Sequence, residues 1–87
     1  MNKKFKKYSL KEKRDYYSGI IDNSAYLISK GKTIDGDRMD YAVGFYMGSK
    51  DEKKFTLDSK FNKNIQLGLL AGRKALLLDK VQNKFKK

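Results

Sequence analysis

The sequence predicts an all-α domain, a small bundle of about three helices over roughly 10–29, 38–50 and 58–82, with a basic arm at each end. Three observations predict it. Proline is absent, which removes the strongest helix breaker. Apolar residues recur at helical spacing in three stretches. Gly31, Asp35, Gly36, Asp37 and Asp51 lie between those stretches, where start and stop chemistry is needed. Eighty-seven residues hold one domain, with room for one site or one binding surface.

Residues 1–8 read as a basic arm with Phe5 and Tyr8 interleaved, too poor in apolar side chains to fold alone and expected to be mobile without a partner. Residues 9–82 are the helical domain and 83–87 a basic tail. Ser9 followed by Glu12 is a capping box, in which each side chain bonds the other's backbone amide, so the first helix starts at Leu10. Leu10, Tyr16, Tyr17, Ile20, Ile21, Leu27 and Ile28 then fall within about a 140° arc. Asn23 and Ser24 could interrupt this helix, and a continuous or kinked helix is the favoured reading. Gly31 suits the left-handed position that ends a helix.

Lys32 to Asp37 is a turn built on Asp35-Gly36-Asp37. Asp35, Asp37 and Asp40 lack the later ligands of a calcium loop and read as carboxylates at the positive end of a helix dipole; no metal or cofactor is expected. The second helix, Arg38 to Lys50, is apolar around most of its circumference, which implies burial on more than one side or at a subunit contact. Thr56 or Asp58 offers a cap for the third. Residues 64–81 hold the longest apolar run and read as the central helix, with Phe61, Ile65, Leu69 and Leu76 on one face and Leu67, Leu70, Ala71, Leu77, Leu78 and Val81 on others. Arg73 and Lys74 interrupt an apolar run of about 14 residues, short of the roughly 20 needed to cross a membrane.

The second and third helices share an internal echo. Tyr41–Lys50 laid over Ile65–Lys74 superposes Gly44 on Gly68, Gly48 on Gly72 and Lys50 on Lys74. Glycine inside a helix costs about 0.5–1 kcal/mol relative to alanine, so four of them need a compensating contact. Close approach of two helix backbones supplies one, and the two helices are expected to cross at Gly44, Gly48, Gly68 and Gly72. A glycine pair at a homodimer axis is the alternative.

Composition limits the chemistry. Cysteine and histidine are both absent, which excludes thiol and Ser-His-Asp catalysis and the usual zinc sites. Lys74 among apolar neighbours has no evident catalytic partner, and enzymatic function is not expected. The N-terminus lacks the apolar stretch of a secretory signal, which makes a cytoplasmic location the expectation. Abundant Lys, Asn, Ile, Phe and Tyr point toward an AT-rich genome, such as a low-GC bacterium or a phage or other mobile element.

Charge points to a partner. The formal net charge is +11, and all of the excess lies near the ends: residues 1–14 carry +6, residues 65–87 carry +5 and the middle is neutral. Gln66, Arg73, Lys80 and Lys84 fall within about a 40° stripe of the third helix. Lys3, Lys4, Lys6, Lys7, Arg14, Arg73, Lys80, Lys84, Lys86 and Lys87 are therefore candidate phosphate contacts, with Phe5, Tyr8 and Phe85 as stacking or wedging side chains. Arginine is scarce and no helix-turn-helix is evident, so binding to DNA or RNA is expected to be sequence-nonspecific or shape-directed. The alternative is a protein-binding inhibitor or adaptor, encoded by a mobile element, that docks on a host or defence protein or ribonucleoprotein. Apolar surface left on the second or third helix would also permit a homodimer.

Overall fold

A computed structural model describes residues 8–50 and 61–85, with the side chains of 83–85 excepted. The described residues form three α-helices and no strand: α1 (Leu10–Ser29), α2 (Gly36–Gly48) and α3 (Lys63–Phe85). The arm residues Lys3, Lys4, Phe5, Lys6 and Lys7, the tail residues Lys86 and Lys87, and the caps expected at Thr56 or Asp58 lie outside the described residues.

Local chemistry sets the bounds of α1. The Ser9 hydroxyl accepts from the Glu12 amide and the Glu12 carboxylate accepts from the Ser9 amide at 2.8 Å. The helix runs unbroken through Asn23 and Ser24. At its end Gly31 takes φ +73°, while the Gly31 amide bonds the Ile28 carbonyl and the Lys32 amide bonds the Leu27 carbonyl, both at 2.9 Å. Those two bonds form a Schellman stop.

The second and third helices are displaced from the expected bounds. α2 starts at Gly36 because the Asp35 side chain caps it, accepting from the Arg38 amide at 3.2 Å. It ends at Gly48, with Ser49 as C-cap. α3 starts at Lys63 rather than near 58. Asn62 accepts from the Ile65 amide at 2.9 Å and donates to the Asp40 carboxylate at 2.7 Å, so one side chain both caps α3 and ties it to α2. α3 also continues to Phe85, which makes helix of the first three residues assigned to the tail.

α2 and α3 meet backbone to backbone at the four glycines. A methyl group on Gly44 would overlap the Ile65 carbonyl oxygen and stand 2.9 Å from the Leu69 nitrogen. One on Gly48 would overlap the Leu69 carbonyl oxygen, one on Gly68 that of Tyr41 and one on Gly72 that of Phe45. Each glycine thus faces the carbonyl three residues before its counterpart glycine on the other helix. The Cα hydrogen in that direction points at an oxygen, a weak hydrogen bond worth about 0.5–1 kcal/mol, which offsets the conformational cost of the glycine. Residue numbers rise together along both helices at the crossing, so α2 and α3 run parallel.

α1 runs the opposite way. Arg14 lies over the Tyr46 ring at 4.6 Å, Tyr17 stacks on Phe45 at 4.4 Å between centroids, and the Tyr16 hydroxyl accepts from the Arg38 guanidinium at 3.1 Å. Both α1 and α3 pack chiefly on α2. The central element is therefore α2 and not the longer 64–81 stretch, because α2 is the helix that both of the others pack against. The buried apolar side chains among the described residues are Ala42, Phe45, Leu69, Ala75 and Leu76. Backbone proximity leaves little space for larger ones.

Candidate functional site

Helix direction decides which charged side chains meet. Because α1 opposes α2 and α2 parallels α3, the start of α1 lies beside the second half of α3. Ser9, Leu10, Lys11 and Arg14 share a depression with Asp79. Tyr8, Lys13, Tyr16 and Tyr17 face Ala71, Lys74, Ala75 and Leu78 across a groove of about 580 Å³ floored by Phe45. Of the two cationic segments, the described residues Lys11, Lys13 and Arg14 are thereby brought beside the half of α3 that holds Lys74.

The expected contact residues differ in availability. Lys80 is exposed, whereas Arg14 and Arg73 are half-buried and each buries its Nε. Arg14 has become a packing group over Tyr46, a cation–π contact that occupies one face of its guanidinium. Gln66 is also drawn inward, donating its amide to the Phe61 carbonyl at 2.7 Å, so the expected ridge is cationic only from Arg73 onward. Lys84 and Phe85 lie on the last turn of α3. Tyr8, the expected stacking residue, is exposed at the rim of the groove.

Sequence reasoning missed Lys13, Lys74 and Tyr16 as members of this site. Lys13 and Lys74 bring positive charge to opposite walls of the groove, and Tyr16 adds an exposed aromatic ring. Lys13 belongs to no motif, Lys74 only closes the glycine echo, and the antiparallel course of α1 and α3 alone puts them together. Lys11 is committed locally: it bonds the Asp15 carboxylate at 2.7 Å, and that hydrogen bond followed by the attraction of the charge holds its ammonium above the ordinary lysine range.

The groove combines an apolar floor, aromatic rims and two ammonium groups. It can hold a planar ring against Tyr8 or Tyr16 while lysines meet an adjacent anion. Among the described residues no cluster of metal-ligating side chains occurs, and no helix is long and apolar enough to cross a membrane. Comparison with protein-family models, with curated proteins and with solved structures returned no match.

Proposed function

We propose that this chain is a small cytoplasmic nucleic-acid-binding protein that holds the phosphate backbone without sequence-specific readout. The observation that carries the reading is the groove formed where the start of α1 meets the second half of α3, with Lys13 and Lys74 on its walls and Tyr8 and Tyr16 exposed at its rim. Lysines supply phosphate contacts, and tyrosines supply stacking platforms that accept any base. The scarcity of arginine favours backbone over base-edge contacts.

The test is anisotropy of labelled single-stranded DNA, RNA and duplex DNA titrated with the protein across a salt series. The expected result is a log-log salt slope corresponding to several phosphates, about −0.7 per phosphate for single strands. No binding to any of the three at low salt overturns the reading.

A second reading, the protein-binding inhibitor or adaptor, is favoured by one observation: Leu67, Leu70, Leu77, Leu78 and Val81 of α3 face solvent.

A further inference from the structure

α3 shows one apolar face to α2 and turns a second one outward. Gly68, Leu69, Gly72, Ala75 and Leu76 are buried, whereas Leu67, Leu70, Leu77, Leu78 and Val81 each stand about half exposed. At 100° per residue the outward set spans roughly a 100° arc on the side away from the buried set. With Lys74 included, the spacing alternates between three and four residues. Leu67, Lys74 and Val81 take the a positions of a heptad, and Leu70 and Leu77 the d positions. Leu78, at an e position, also lines the groove beside Tyr8. A helix laid on this seam can lean into the space between α1 and α3, the side of the bundle that three helices leave open.

Charge decides which helix fits. The seam between residues 66 and 81 holds no carboxylate: its g positions are Gln66, Arg73 and Lys80, and its central a position is Lys74, which is exposed. A second copy sets Lys74 against Lys74 when parallel and brings the two Arg73–Lys80 edges together when antiparallel, so cations meet cations either way. An anionic lipid surface favours lysines flanking an apolar face, whereas this lysine stands in the middle of one. A partner with leucines at a and d and a carboxylate opposite Lys74 satisfies the apolar stripe and the charge at its centre.

We infer that the outward face of α3 is a docking seam for an acidic amphipathic helix of a protein partner, with Lys74 selecting the acidic residue at its centre. This rests on the protein-binding reading and adds the chemistry of the partner. A helix seated there also covers Lys74 and withdraws it from any phosphate.

The test uses the full chain and three labelled three-heptad peptides with leucine at a and d. They carry glutamate, glutamine or lysine at the central a position and along both edges. The glutamate peptide is expected to bind at least about tenfold more tightly than the glutamine peptide. Lys74→Glu is expected to reverse the order in favour of the lysine peptide. Leu77→Gln, checked for retained helix by circular dichroism, weakens all binding. Equal binding of the glutamate and glutamine peptides overturns the acidic partner and leaves protein docking standing. Failure of every peptide overturns both. A dimer in sedimentation that Leu77→Gln abolishes assigns the seam to a second copy and overturns the inference, as does binding to anionic vesicles in preference to the glutamate peptide.

Discussion

Tyr17 sits where the three helices come closest to sharing a core, stacked on Phe45 and 5.9 Å between centroids from Tyr41. Burial, followed by the charges that Tyr41 and Tyr16 would carry if ionised, raises its phenol above the ordinary tyrosine value. In the unfolded chain a tyrosine releases its proton near pH 10, before the folded one does. The contribution to stability is therefore complete below about pH 10 and is lost as pH rises through the higher folded value. Tyr17→Phe keeps the ring and removes the ionisation. Its melting temperature is expected to fall less steeply than that of the parent between about pH 10 and pH 11, and identical slopes in the two proteins would refute the argument. A second prediction at this scale concerns Gly19, which lies in the middle of α1 with open space around it. Gly19→Ala is expected to stabilise the protein by about 0.5–1 kcal/mol, measured as a shift in the denaturant midpoint at constant slope.

Between elements, the same Gly→Ala change has the opposite sign. At Gly68 a methyl group meets the Tyr41 carbonyl and lies 2.8 Å from the Phe45 nitrogen, backbone atoms that cannot swing aside. Gly68→Ala is expected to cost about 3 kcal/mol or more; a midpoint unchanged from the parent would show that the helices do not depend on this approach. The glycine crossing was legible in the sequence because the echo is local in each helix and mid-helix glycine is costly enough to demand a reason. Ser9, Glu12 and Gly31 were legible for a similar cause, since caps and stops act within a few residues. The start of α3 was not, because Asn62 gains its role from Asp40 on another helix. Nor was the exposure of Leu67, Leu70 and Leu77 readable, since an apolar residue on a helix does not reveal whether a neighbour stands opposite it.

For the whole molecule the decisive fact is polarity. The candidate site joins residues more than fifty positions apart, Lys13 and Lys74 among them, and depends on α1 running against α3. Composition located the charge excess, but only helix direction brings Lys13 beside Lys74 and leaves Lys30 and Lys32 beyond the far end of α1. The double variants Lys13→Glu/Lys80→Glu and Lys30→Glu/Lys32→Glu lower the net charge equally. The first is expected to weaken nucleic-acid binding by about tenfold or more beyond the second; equal losses would assign the affinity to overall charge. That geometry is held by a vernier. With two glycines on each helix, a slip of one turn in one sense would drive Asn64 into the backbone at Gly44, and in the other would drive Leu76 into Gly48. Either slip would carry Lys74, Leu78 and Lys80 about 5.4 Å past Tyr8 and Lys13. Four residues without side chains thus set the alignment of every charged and apolar group that a partner would touch.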